Sequence, residues 1–188
     1  MTCAGVVLTG GSSRRLGFDK ASVRVGNETL ATRAARVLAA VCSPVVEVGP
    51  GRTGLRAVRE EPAGSGPLAG LVAGANALDA SPIVLLGCDL VRIESNVLGL
   101  LAEWTGAPTV VPMVDGEPQL VCARYGPDAL AAARTLLATG ERSLRALLGV
   151  IEFDFVTEEH WRAVADADAF ADLDNPDDLA RLGLHAPG

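Results

Sequence analysis

Ala4-Gly5-Val6-Val7-Leu8-Thr9-Gly10-Gly11-Ser12-Ser13-Arg14-Arg15-Leu16-Gly17-Phe18-Asp19-Lys20 joins a short apolar run to a loop rich in glycine and basic residues. The run Ala4–Leu8 reads as a strand that stops at Gly10-Gly11. A loop that follows the first strand lies at the carboxyl end of the sheet, where open α/β sheets bind ligands. The paired glycines let the backbone turn tightly and aim N–H groups at an anion. Ser12 and Ser13 add hydroxyl donors, and Arg14, Arg15 and Lys20 add positive charge. Together these are the parts of a phosphate-binding loop. Neither common template fits, because Gly17 is followed by Phe18-Asp19-Lys20 rather than Lys-Ser/Thr, and G-x-G-x-x-G is absent. From the residues alone, a phosphate cradle and a glycine turn with solvated arginines stand level.

Beyond this loop, strands and helices alternate. Leu30, Ala34, Val37, Leu38 and Val41 recur at helical spacing, Val45–Val48 reads as a second strand, and Leu55 to Val58 as a third. Gly66-Pro67 opens a helix carrying Leu68, Leu71, Val72, Ala75 and Leu78, with proline where its missing N–H does no harm. Ile83-Val84-Leu85-Leu86 is a continuous apolar run, as in a strand covered on both faces. A helix over Val97–Trp104 follows, then strands at Thr109–Met113 and Leu120–Arg124. A helix runs from Pro127 to near Gly140, with a short one at Leu144–Leu148. A strand Ile151–Val156 and a helix after Asn175-Pro176 complete the pattern. Strand and helix alternating at this interval predict one doubly wound α/β domain, a mostly parallel sheet with helices on both faces in the Rossmann-like manner. Residues 183–188, with His185, are expected to form a flexible tail.

Composition narrows the function. The 188 residues carry 49% apolar but only 4% aromatic side chains, so the core must be built from Val, Leu and Ala. A net charge of −7 argues against nonspecific grip on nucleic acid, which needs Lys and Arg to neutralise phosphates. It leaves room for a small phosphorylated substrate in a locally basic pocket. Cys3, Cys42, Cys88 and Cys122 are scattered without a C-x-x-C pair and read as reduced core thiols. No apolar run reaches the length of a membrane helix and no secretory leader opens the chain, so a soluble cytoplasmic protein is expected.

The ordered motif Leu8-x-Gly10-Gly11-x-Ser13-x-Arg15-Leu16-Gly17-x-Asp19-Lys20 resembles the amino-terminal signature of the MobA-like nucleotidyltransferases, whose type member is the molybdenum cofactor guanylyltransferase. Glu60-Glu61-Pro62 followed by Gly66-Pro67-Leu68-Ala69-Gly70-Leu71 is similar to the family's acidic residue and its Gly-Pro-Leu-Ala-Gly segment. Cys88-Asp89 resembles the family's metal-binding strand end. Gly140–Arg145 and the segment Phe170 to Leu179 are similar to its late motifs, so the resemblance covers roughly residues 4 to 182. It implies a fold of the nucleotide-diphospho-sugar-transferase type. It also implies a reaction: the phosphate of molybdenum-bound molybdopterin attacks the α-phosphate of GTP and pyrophosphate leaves. Contacts with enzymes that insert molybdenum or accept the finished cofactor are implied as well.

Such a displacement needs no protein nucleophile, only alignment and charge stabilisation. The resemblance implies that Leu8, Thr9, Gly10, Gly11, Ser12, Gly66 and Pro67 bind the nucleotide. Arg15 and Lys20 would neutralise charge on the transferred and leaving phosphates. Asp89, where a strand gives way to a loop, would hold Mg²⁺, which prefers few carboxylates plus substrate phosphates. A helix-capping or turn aspartate is the other reading of Asp89. Asp19 reads as an acceptor that fixes the loop. Glu60 would accept from the N1–H and amine of guanine, or it is simply an exposed-loop acid.

The chain departs from the family pattern in three places. Leu90-Val91-Arg92 follows the strand-end aspartate where the family often has proline. Asp172 and Asp174 stand where asparagines are expected, and the second strand ends in Val48-Gly49 without an asparagine. For stacking a pterin the chain offers few rings, Trp104, Tyr125 and Trp161 among them. The alternatives are the same chemistry with CTP or with another phosphorylated acceptor, and a nucleotide-binding partner or regulatory protein without catalysis.

Overall fold

A computed structural model describes residues 3–10 and 16–186. Strand β1 (Ala4–Leu8) leads through a 3-10 turn at Lys20–Ser22 into the small hairpin β2 (Arg24–Val25) and β3 (Glu28–Thr29). Helix α1 (Leu30–Ala39), β4 (Val45–Val48) and β5 (Ala57–Val58) follow. After them come α2 (Pro67–Leu78), β6 (Ile83–Gly87) and α3 (Ser95–Glu103). The second half contains β7 (Val110–Val114), β8 (Glu117–Pro118), β9 (Cys122–Tyr125), α4 (Pro127–Ala138), α5 (Leu144–Leu148), β10 (Asp154–Val156), α6 (Glu158–Trp161) and α7 (Pro176–Leu182).

The strands align as β10-β7-β9-β6-β1-β4-β5, with β8 added beside β7. β1 is flanked by parallel partners on both sides, Val6 facing Val46 and Leu85. Its side chains therefore divide between two layers. Cys3 and Val7 pack with Ala34 and Leu38 of α1 and Val97, Leu98 and Leu101 of α3. Ala4 and Val6 face Leu71 and Ala75 of α2 and Leu130 of α4. β6 alternates in the same way, Val84 and Leu86 to the first layer, Ile83 and Leu85 to the second. Both faces are covered, which is why these runs are continuously apolar rather than alternating. Helix α2 lies unusually close: a Cβ at Gly74 would collide with Val6, and one at Gly70 would come within 2.8 Å of Leu8.

Strand β9 runs antiparallel to both β6 and β7, within the mostly parallel sheet expected from the sequence. The cause is a two-residue hairpin between β7 and β8, with Asp115 at φ 49° and Gly116 at φ 79°. Positive φ at both central residues is the turn that Asp-Gly favours, because its twist matches that of the strands. Three strand bounds are shorter than expected. Backbone contacts at Leu120 N to Pro118 O and Cys122 N to Gln119 O hold a turn, so β9 begins only at Cys122. β10 pairs from Asp154 because its partner β7 starts at Val110. β5 begins at Ala57 because the residues before it are drawn into a clasp around Glu47.

That clasp is the most heavily bonded side chain of the sheet. Glu47 is 0% exposed within β4. Its carboxylate accepts from Thr9 Oγ1 at 2.5 Å, from the amides of Gly51, Arg52 and Thr53 at 2.8–2.9 Å, and from Thr53 Oγ1 at 2.7 Å. Burial alone would raise this carboxyl group, but the hydrogen bonds, Thr9 first and then Arg52 and Thr53, outweigh it and hold it below the usual glutamate range. The clasp ties the end of β1 to the loop after β4. All four cysteines are buried and free, as read from their spacing. Leu184 is buried against Leu16, Val23 and Leu182, and His185 bridges to Arg24, so the chain remains anchored at least to 185. Among the described residues no helix is long and apolar enough to cross a membrane.

Because the folded carboxyl of Glu47 is depressed, its contribution to stability is complete above the unfolded value of about 4.3 and is lost as pH falls through the lower, folded value. Glu47→Ala should leave buried donors unpaired and cost on the order of 3 kcal/mol in urea unfolding at pH 7. It should also remove part of the protein's acid sensitivity. A variant as stable as the parent at neutral pH would contradict the role given to Glu47.

Candidate active site

The strand order reverses on either side of β1, and a cleft opens at the carboxyl ends there, as the topology of open α/β sheets requires. Its volume is about 580 Å³, within the range of small-ligand pockets. Three strand ends form its floor: Leu8-Thr9-Gly10 after β1, Val48-Gly49-Pro50 after β4 and Gly87-Cys88-Asp89 closing β6. These ends are stitched together by Thr9 N to Val48 O and Cys88 N to Leu8 O, both 3.1 Å. Glu60, Gly66 and Pro67 line the wall, and Lys20 reaches in from the 3-10 turn.

Leu8, Thr9, Gly10, Lys20, Glu60, Gly66, Pro67 and Asp89, picked from sequence, are thus gathered around one cavity. Gly11, Ser12 and Arg15, like Ser13 and Arg14, lie outside the described residues. Leu68 is fully buried and packs behind the wall, as read. Helix α2 presents its amino end here, with Gly66 as N-cap and Pro67 in the first turn and no side chain capping it. The N–H groups of a first turn have no partner within the helix and carry partial positive charge, which suits an anion.

Lys20 Nζ donates to Asp89 Oδ2 at 2.6 Å and to Asp174 Oδ1 at 3.3 Å, with Leu173 O at 3.5 Å. Burial alone would lower its ammonium pKa, but Asp89 and then Asp174 more than offset this and hold it above the ordinary lysine value. Lys20 is therefore a fixed cation. Its backbone is set by Asp19, which caps the 3-10 turn by accepting from Ala21 N at 3.0 Å and pairs with Arg52. Asp19 is the structural acceptor its position suggests. Because Arg52 also belongs to the Glu47 clasp, the loop after β4 helps to position Lys20.

Asp89 does not cap a helix: the chain continues in a turn, and its backbone carbonyl accepts from Leu173 N at 3.1 Å. One carboxylate oxygen is held by Lys20. The other, Oδ1, is buried with no hydrogen-bond partner among the described residues. A Cβ at position 87 would come within 2.6 Å of it, so only glycine there leaves Oδ1 its space. An oxygen so placed at the floor of a cleft fits a hard divalent cation that takes its remaining ligands from substrate and water. No group of three or more His, Cys, Asp or Glu side chains placed to hold a metal ion occurs among the described residues.

Asp172 and Asp174 flank the pair. The segment 171–174 runs beside Asp89–Val91, with Leu90 bridged to Asp172 and Val91 N donating to Ala171 O. Burial raises the Asp172 carboxyl group, and the neighbouring charges of Asp174 and Asp89 add to the effect. Asp178 fixes the segment by accepting from Asp174 N and Asn175 N, both 2.9 Å. Glu60 Oε1 accepts from Gly64 N at 2.9 Å, which shapes the loop and leaves Glu60 facing the cavity, whereas Glu61 is exposed and does not line it.

Sequence reading missed two residues. Glu47 organises the site from behind, and its only signal was a lone acid among Val45, Val46 and Val48. Arg59 lines the cleft beside Glu60 and carried no motif signal. The aromatic candidates fall elsewhere. Tyr125 and Trp161 are fully buried, and Trp104 packs edge-on against His160 and donates to Asp154 at 2.8 Å. His160 itself accepts or donates within its helix start at Thr157 Oγ1, a structural placement.

The family model of the MobA-like NTP transferase domain matches residues 5–160. A probable molybdenum cofactor guanylyltransferase of Opitutus terrae is 41% identical over 174 residues, covering 86% of this chain and 83% of that protein. One of Pelotomaculum thermopropionicum is 31% identical over 193 residues, covering 99% and 94%. Among solved structures, molybdopterin-guanine dinucleotide biosynthesis protein A of Archaeoglobus fulgidus superimposes with a TM-score of 0.78 at 23% identity, covering 95% of each chain. The match in fold, the strand-end cleft and the full-length relatives agree: the chain belongs to the MobA-like nucleotidyltransferase family.

Proposed function

We propose that this protein transfers GMP from GTP to the phosphate of molybdenum-bound molybdopterin, releasing pyrophosphate and forming the guanine dinucleotide cofactor. The observation that carries this reading is the pairing, in one cleft, of a fixed cation with a carboxylate oxygen left open. The names of the relatives supply the substrates.

In the reaction an oxygen of the acceptor phosphate forms a bond to the α-phosphorus of GTP, and the bond from that phosphorus to the bridging oxygen breaks. Pyrophosphate leaves with the bonding electrons, and no protein group is covalently modified. The chain's residues act by holding and by charge. Gly10 and the amino end of α2 offer the triphosphate backbone donors, while Thr9, whose amide and hydroxyl are taken by Val48 O and Glu47, shapes the floor beneath it. Lys20 meets the phosphates, whose negative charge competes with Asp89 and Asp174 for its ammonium. Asp89 Oδ1 would hold Mg²⁺, which supplies positive charge to the transferring and leaving phosphates. Glu60 accepts from the N1–H and amine of guanine, and Gly66 and Pro67 wall the nucleotide. Gly11, Ser12 and Arg15 complete the assignment by the family motif.

Two measurements check it. GTP with Mg²⁺ should raise the melting temperature, since a ligand at 100 times its dissociation constant adds about 2.7 kcal/mol to the folded state. A larger shift with CTP, or none with any nucleotide, would contradict the guanylyl reading. In a pyrophosphate-release assay with GTP and molybdenum cofactor, Asp89→Asn and Lys20→Ala should each lower turnover by about a hundredfold or more. The melting point of Asp89→Asn should stay near the parent's, because the amide keeps the shape and an acceptor for Lys20, whereas Lys20→Ala should lower it by leaving Asp89 and Asp174 without their shared cation. Unchanged turnover in Asp89→Asn would remove Asp89 from the reaction.

A further inference from the structure

The cleft contains a second cation. Among its described lining residues the basic ones are Lys20 and Arg59, and they differ in kind. Lys20 is neutralised by Asp89 and Asp174. Arg59 is exposed, lies next to Glu60 just beyond β5, and has no hydrogen-bond or ionic partner among the described residues. It leaves five donors in a planar fork open to whatever enters.

Its place along the cleft says which part of a nucleotide it meets. β5 is two strands from β1 and three from β6. At the usual spacing its end therefore stands roughly 10–14 Å from the strand ends that carry Gly10 and Asp89. That is the reach of a nucleoside from its α-phosphate to the far edge of its base. With the triphosphate at Lys20 and Asp89, the base comes to Arg59 and Glu60.

Two adjacent residues of opposite charge can read one base on two edges. Guanine presents N1–H and an amine on one side, and O6 with N7 on the other. A carboxylate complements the first pair, and a guanidinium complements the second in its bidentate geometry. Adenine puts an amine where guanine has O6, so the guanidinium would face donor with donor. Cytosine has no second edge of this kind. We infer that Arg59 is a specificity-determining residue that selects guanine by donating to O6 and N7, while Glu60 takes the N1–H and amine. This rests on the guanylyl reading proposed above.

Calorimetric titration of the whole protein with GTP, 7-deaza-GTP, ATP and CTP in Mg²⁺ tests it, comparing the parent with Arg59→Ala. Loss of a bidentate contact should weaken GTP binding about ten- to a hundredfold. ATP and CTP binding should not change. The parent should bind 7-deaza-GTP, which lacks N7, more weakly than GTP, and the variant should not distinguish the two. An equal loss for all nucleotides would assign Arg59 to the phosphates or to the fold and overturn the inference, as would unchanged GTP affinity. If the parent itself shows no preference for GTP, the guanylyl reading fails before Arg59 is altered. A parent selective for GTP with an Arg59→Ala variant that keeps the same selectivity would leave that reading standing and remove only the role of Arg59.

Discussion

The ammonium of Lys20, held between Asp89 and Asp174, joins segments 69 and 154 residues distant along the chain. It brings together the loop after the first strand, the end of β6 and the segment before the last helix. Without that cation the carboxylates at the cleft would repel one another, a tension that adds to burial in raising the carboxyl group of Asp172. The same interaction sets the chemistry. It fixes a positive charge where phosphates would arrive, and it occupies one oxygen of Asp89 while leaving the other bare.

Behind this pair stands a second constraint of opposite logic. Glu47 is an anion already satisfied by the protein, wrapped by the amides of residues 51 to 53. Those donors are consumed in holding the loop, and through Arg52 and Asp19 the loop holds the turn that carries Lys20. The donors at the amino end of α2 remain open, since Gly66 offers no side-chain cap. The site thus separates amides that build from amides that can bind. This is how a chain with a net charge of −7 can still offer a phosphate site: its field at the cleft is set by a few fixed donors rather than by the overall balance.

Much of this could be read from sequence because the signals were local. The unbroken apolar runs at Ala4–Leu8 and Ile83–Leu86 mark strands buried on both faces. Pro67 and Asn175-Pro176 mark helix starts to the residue. The residues ascribed to the site lie after strands, and loops after parallel strands must gather at one edge. What escaped depended on partners remote in sequence. Glu47 draws its meaning from Thr9, 38 residues away, and from a loop whose composition is unremarkable. The antiparallel β9 follows from Asp115-Gly116, a hairpin signal that the alternation of strands and helices masks. Tyr125 and Trp161 have the chemistry to stack a pterin, but burial removes them from any ligand, and periodicity alone does not report that. Arg59 belongs to no motif, and only its place beside Glu60 on the cleft wall gives it a role.

A nucleotide in this cleft would lie across the strand ends, phosphates at Lys20 and Asp89, base at the end of β5. A crystal structure of the protein with a non-hydrolysable GTP analogue and Mg²⁺ measures that directly. The expected result is the α-phosphate beside Lys20, the cation on Asp89 Oδ1, and guanine against Glu60. A nucleotide bound in the reverse sense, or a cation that leaves Asp89 Oδ1 without a ligand, would contradict it.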